Sequence, residues 1–316
     1  MTPEHTRRKV LKQGALAGSA AGLASLAGCS SFLGGGGSAV KVGSKQFTEQ
    51  ELLGYMAYEA LDANADVEVK NEVGLGGTTT NFRAVKSDEI DLYWEYTGTA
   101  WATLPPKHSE VITDPQEIYE QVDEEVNSEH SLDFLQRAPF NNTYVLTANP
   151  DWVEQTGVET LSGFAEYVNG GNTDFTVVLN AEFENRADGW PGVAKHYGFD
   201  GALSDIEVTN VDSGLTYQTV GQGDAQVGVG FNTNPKIVKF DLAVLEDDEK
   251  FFPVYNPAPL VNQDALESAP SIQEPLNAIG PTLSTDKIRS LNKKVSIDGA
   301  DAQQTAREFL SNEGLI

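Results

Sequence analysis

From residue 39 onward the apolar positions alternate between two periods, one close to 2 and one close to 3.6. "AVKVGS" (39–44) alternates as a strand does, and "TEQELLGYMAYEALD" (48–62) follows with a helical stripe of Leu52, Leu53, Met56, Ala57, Ala60 and Leu61. Thr48 and Glu51 have the spacing of a capping box at the start of that helix. "VEVKNEV" (67–73) predicts a second strand, and "GLGGTTT" (74–80) leads into a helix with Phe82 and Val85 facing inward. "IDLYWEY" (90–96) predicts a third strand, with Leu92, Trp94 and Tyr96 on one face and Tyr93 and Glu95 on the other.

The alternation resumes in the middle of the chain. "NTYVLTA" (142–148), "FTVVLN" (175–180), "IEVTNV" (206–211) and "AQVGVGF" (225–231) are strands. Between them "LSGFAEYV" (161–168), "GWPGVAKHYGF" (189–199) and "GLTYQTVGQGD" (214–224) are helical. After "FFPVYNPAPLV" (251–261) come helices rich in polar residues. Strands that alternate with helices predict an α/β fold of two units, each a parallel sheet covered on both faces. Ligands of such folds bind outside the carboxyl ends of the strands, where Ser44, Lys45, Tyr96 and the glycine loop fall.

Ahead of the folded body, "TRRKVLK" (6–12) has paired arginines, Arg7 and Arg8, followed by an uncharged stretch of small and apolar residues. This is the pattern of a twin-arginine export signal, too short and too mildly apolar for a membrane span. "LAGC" (26–29) ends in Cys29, the single cysteine of the chain, and resembles a lipobox whose cysteine becomes the lipidated first residue. "SSFLGGGGS" then reads as a flexible tether. The expected order is a lipoprotein signal peptide over 1–28, a tether over 29–38 and a folded body from 39, exported and lipid-anchored on the outer face of the cytoplasmic membrane.

The chain has 316 residues, 47 of them acidic and 21 basic, for a net charge of −26. Acids scattered at this density suit a protein working at high salt, where repulsion between them is screened. They exclude a nucleic-acid partner, which requires a basic face. The four histidines are dispersed, so no metal is expected, and no nucleophile–base pattern marks an enzyme. "GLGGTTT" lacks the register of a nucleotide loop; it reads as a tight turn, or as backbone lining a ligand cleft. Asn141 heads a glycosylation sequon.

"VGSKQFTEQELLGYMAYEAL", "GLGGTTTNFRAVKSDEIDLYWEYTGTA", "NNTYVLT", "AEFENRADGWPG" and "FFPVYNPAPLV" occur in the order seen in the osmoprotectant-binding proteins of ABC transporters. The chain resembles that family, whose members bind glycine betaine, proline betaine, choline or carnitine. The resemblance implies a two-lobed, type II periplasmic-binding-protein fold, with lobe I formed by 39–143 and 254–316, lobe II by 144–253, and ligand held between them. It implies no cofactor, no catalysis, a membrane permease as partner and a monomeric binding protein.

A quaternary ammonium has no proton to donate, so aromatic faces hold it, each contributing roughly 0.5–2 kcal/mol. By motif, the resemblance places such a box at Tyr96, Tyr144, Phe231 and Tyr255, with phenylalanine at 231 where a tyrosine is expected. It places a carboxylate clamp at Lys45, Thr99 and Arg186, where arginine offers a bidentate grip and lysine a point charge. A shift of one residue would substitute Gln46 for Lys45; the "SK" motif favours the lysine. Thr79 and Asn142 are further expected pocket walls, and Trp94, Trp101 and Trp190 are expected to pack. The alternative ligand class is a cationic amino acid or polyamine, whose primary ammonium would call for acidic acceptors instead of rings.

Overall fold

The computed structural model describes residues 39–185, 189–212 and 214–316. The expected signal peptide, tether, Cys29 and Arg186 lie outside the described residues. Among the described residues, no helix is long and apolar enough to cross a membrane.

The strands β1 (Val40–Lys45), β2 (Val69–Gly76), β3 (Leu92–Tyr96) and β4 (Leu132–Phe134) precede β5 (Tyr144–Ala148), β6 (Thr176–Leu179), β7 (Glu207–Asn210), β8 (Val227–Phe231), β9 (Ala243–Leu245) and β10 (Pro257–Asn262). They form two five-stranded sheets, ordered β2-β1-β3-β10-β4 and β7-β6-β8-β5-β9. The α/β class and the two-lobed arrangement are as expected.

The sheets are mixed, which corrects the parallel expectation. β1 runs parallel to β2 and β3, and β6 parallel to β7 and β8. β10 is antiparallel to β3 and β4, and β5 antiparallel to β8 and β9. The cause is the connection between lobes. Pro257 at the start of β10 pairs with Tyr96 at the end of β3, and Tyr144 at the start of β5 pairs with Phe231 at the end of β8. A chain that crosses between sheets arrives at their facing carboxyl ends, so it must run back along its neighbours.

β10 holds two prolines although it lies between two strands, a place proline normally avoids. The carbonyls of Pro257 and Pro259 accept from the amides of Ala138 and Leu135, each at 2.8 Å. The N–H that proline lacks would point the same way, toward the irregular segment after β4. No ladder bond to β3 is lost.

The first sheet is packed on both faces. Leu92 and Trp94 join one cluster with the helix Thr48–Asn64, whose predicted stripe is wholly buried. Tyr93, on the opposite face, joins Phe82, Val85, Leu132 and Leu260. Trp94, Trp101 and Trp190 are buried, as expected. That second face is closed by the helix Pro115–His130, to which the sequence reading assigned no element. Asp114 caps it by accepting from the amides of Gln116 and Glu117, and Ile118, Val122 and Val126 repeat every fourth residue on its buried side.

The expected capping box does not form. Phe47 is the N-cap of the first helix and no side chain caps it. Thr48 is already the first helical residue, so its hydroxyl is one position too late. The helix instead turns its first residues into the gap between the lobes.

Candidate functional site

The carboxyl ends of β1, β2 and β3 face the start of β5 and the end of β8 across a cleft of about 930 Å³. Lys45, Thr99, Asn142, Tyr96, Tyr144, Phe231 and Tyr255 all line it, so every expected site residue within the described part converges there except Thr79. Thr79 is exposed and points elsewhere in the first turn of its helix; Gly77 and Thr78 line the cleft instead. The glycine loop therefore does border a ligand-sized space, as one of its three readings held. Gln46 lines the cleft too, although its side-chain amide donates to the Gly74 carbonyl at 2.9 Å.

The rings come from both lobes. Tyr144 and Phe231 are directly paired across β5 and β8, with ring centroids 4.6 Å apart. Gly230 permits this strand end: a Cβ there would come within 2.6 Å of the Tyr217 ring, whose hydroxyl accepts from the Phe231 amide at 2.7 Å. Tyr255 lies on the segment that returns to β10, where its amide donates to Asn141 Oδ1 at 2.7 Å and its carbonyl accepts from the Asn142 amide at 3.1 Å.

Gly98, in the "YTGT" motif, has a steric reason to be glycine. A Cβ there would lie 2.8 Å from the Tyr255 ring and 2.5 Å from the Val254 carbonyl. Gly98→Ala is expected to displace Tyr255 and lower stability by about 1–3 kcal/mol. A denaturation midpoint equal to wild type would show that this contact is not tight.

Several lining residues were not expected from the sequence, and two of them bear on the chemistry of the site. Phe47 stacks on Tyr96, with centroids 6.4 Å apart and planes inclined by 13°. It is 42% exposed and lines the cleft, whereas Tyr96 is only 4% exposed. Phe47 thus presents more ring to a ligand than the residue the motif pointed to. Its signal was the conspicuous aromatic in "SKQFTEQ".

The second is Glu49, which lines the cleft yet is 3% exposed. Tyr96 Oη donates to its Oε1 at 2.6 Å, and Asn142 Nδ2 does so at 3.1 Å. Asn292 Nδ2 donates to Oε2 at 2.9 Å. Burial nevertheless holds the Glu49 carboxyl above its ordinary value, because desolvation outweighs those donors. Desolvation and the adjacent carboxylate push the Tyr96 phenol well up. Tyr96 is a neutral donor, fixed in place.

Lys45 is buried, and its ammonium is ion-paired with Glu95, which also accepts from the Tyr96 amide at 2.7 Å and from Tyr93 Oη at 3.2 Å. The same ammonium lies 5.1 Å from the Tyr96 ring centroid. Lysine has three donors, so one bond to Glu95 leaves others for a ligand anion. Its positive charge, however, is already balanced.

Comparison with known proteins bears on this site. The profile described as "Substrate binding domain of ABC-type glycine betaine transport system" matches residues 38–312. The substrate-binding protein CosB of a chemotactic signal transduction system in Halobacterium salinarum is 32% identical, over 88% of this chain and 84% of that protein. The glycine betaine-binding protein YehZ of Escherichia coli is 31% identical, over 88% and 91%. The solved apo structure of YehZ superimposes with a TM-score of 0.81 at 29% identity, over 88% of this chain and all of that one. The fold is that of the type II periplasmic binding proteins. With its fold and almost the whole described length in agreement, this chain belongs to the family of substrate-binding domains of ABC-type glycine betaine transport systems.

Proposed function

We propose that the protein captures a quaternary-ammonium osmoprotectant, glycine betaine or a relative, between its lobes and delivers it to a membrane permease. One observation carries this reading: five rings, Phe47, Tyr96, Tyr144, Phe231 and Tyr255, border a single cleft. A methylated ammonium can be surrounded by ring faces but cannot be hydrogen-bonded, so a ring-lined cleft suits it. In this reading lobe I is 39–143 with 254–316, lobe II is 144–253, and Lys45, Thr99 and Arg186 take the ligand's carboxylate. The names of these relatives speak of glycine betaine binding and of chemotactic signalling; the family description favours transport.

Calorimetry at high salt with glycine betaine, choline and arginine tests the proposal. Heat of binding from betaine or choline, and none from arginine, is the expected result. Binding of arginine alone would turn the assignment to a cationic amino acid.

The protein is placed, in the same proposal, on the outer face of the cytoplasmic membrane through lipid on Cys29 after twin-arginine export, with a soluble, monomeric body adapted to salt. Cys29→Ala is expected to leave the membrane fraction for the medium. Fractionation like wild type would remove the lipid anchor from the account.

A further inference from the structure

We infer that Glu49 determines specificity in this cleft: it is the counter-charge for the ligand's cation, offered with most of its hydrogen-bond acceptor sites already filled, so that a methylated ammonium is favoured over a primary one. The inference rests on the quaternary-ammonium reading above and deepens it.

The first support is the absence of a countercharge. Among the described residues every hydrogen-bond partner of the Glu49 carboxylate is neutral: Tyr96, Asn142 and Asn292. The two lysines that line the cleft are otherwise engaged, Lys45 with Glu95 and Lys236 with the Gly214 carbonyl at 2.6 Å. Glu49 lies in the first turn of the helix Thr48–Asn64, whose positive end offsets only part of its charge. A carboxylate that is nearly fully buried beside a cavity, with no cation against it, gains most when a cation enters.

The second support is how the acceptors are used. A carboxylate has about four lone-pair sites, and three donors occupy them here, two on Oε1 and one on Oε2. A primary ammonium must replace the hydration of three N–H groups with acceptors, and Glu49 has only one site left, on Oε2. A trimethylammonium asks only for charge and ring faces. The acid that sequence reasoning would have assigned to an amino-acid or polyamine site therefore works in the opposite sense. Tyr96 links the two contributions, since its hydroxyl donates to Glu49 while its ring borders the cleft.

Glu49→Gln removes the charge and keeps the shape. Asn142 can turn its amide to accept from the new NH₂, because its Oδ1 is buried without a partner. The stability that a carboxyl with a raised pKa contributes is present at acid pH and lost as pH rises through that pKa. At neutral pH the unliganded Glu49→Gln protein should therefore melt no lower than wild type.

Calorimetry on the full chain at high salt would compare choline, ethanolamine and 3,3-dimethyl-1-butanol, the uncharged carbon counterpart of choline. In wild type, choline should bind more tightly than the other two. In Glu49→Gln, choline should weaken about tenfold or more, while dimethylbutanol changes less than about threefold. Unchanged choline binding, equal losses for choline and dimethylbutanol, ethanolamine bound by wild type as tightly as choline, or a clearly lower melting temperature would each overturn the role of Glu49. A wild-type protein that binds neither choline nor betaine would overturn the ligand class itself, a different failure recognised before any variant is made.

Discussion

Glu95→Ala is expected to lower the folding free energy by about 3–5 kcal/mol, the usual consequence of leaving one partner of a buried ion pair alone. Glu95 is fully buried in β3, and its partner Lys45 is buried at the end of β1 beside it. Without the carboxylate, the buried Lys45 ammonium would be left without its counter-charge. The Tyr93 hydroxyl and the Tyr96 amide would lose an acceptor at the same time. Replacing both members with apolar residues, Lys45→Met with Glu95→Leu, should destabilise less than Glu95→Ala alone, because no charge is stranded. Denaturant unfolding at high salt measures all three. A Glu95→Ala protein within about 1 kcal/mol of wild type would mean that water reaches this pair.

Arg186→Ala should weaken glycine betaine by about 2–5 kcal/mol, the range for losing one side of a buried, hydrogen-bonded charge pair. Choline carries a hydroxyl where betaine carries a carboxylate, so its affinity should fall much less. The prediction rests on the proposed clamp, and the two lysines that line the cleft sharpen it: Lys45 is balanced by Glu95 and Lys236 is turned to a carbonyl. Lys45 keeps donors for a ligand carboxylate but its charge is balanced, so in the proposed clamp the arginine fork would supply the positive charge. At molar salt the Debye length is about 3 Å, so distant charges cannot substitute for it. Equal losses for betaine and choline would place Arg186 outside the carboxylate's reach.

Much of the fold was legible along the chain. The stripe from Leu52 to Leu61 and the alternation of Leu92, Tyr93 and Trp94 reach the core they predict, because each side chain's face follows from the local period alone. The helix Pro115–His130 was equally readable, from Asp114, Pro115 and the Ile118–Val122–Val126 spacing, and was overlooked. β5 and β10 differ from these. Their antiparallel direction depends on where the chain arrives after crossing between lobes, and nothing in "NTYVLTA" or "FFPVYNPAPLV" encodes a direction.

For the site, motif and chemistry were enough to bring Tyr96, Tyr144, Phe231, Tyr255, Lys45 and Thr99 to one cleft from positions up to 210 residues apart in the sequence, numbered 45 to 255. What the sequence determined was therefore which residue types gather and at which strand ends. Tertiary structure decided what each could do there. Glu95 and Glu49 are both glutamates on the cleft side of the first sheet; one neutralises Lys45, and the other is ringed by uncharged donors. Phe47 is the exposed ring and Tyr96 the covered one, with Phe47 stacked on Tyr96 and the Tyr96 hydroxyl bonded to Glu49. Charge balance and exposure belong to neighbours brought together across hundreds of residues, such as Asn292 against Glu49, and no window of sequence contains both.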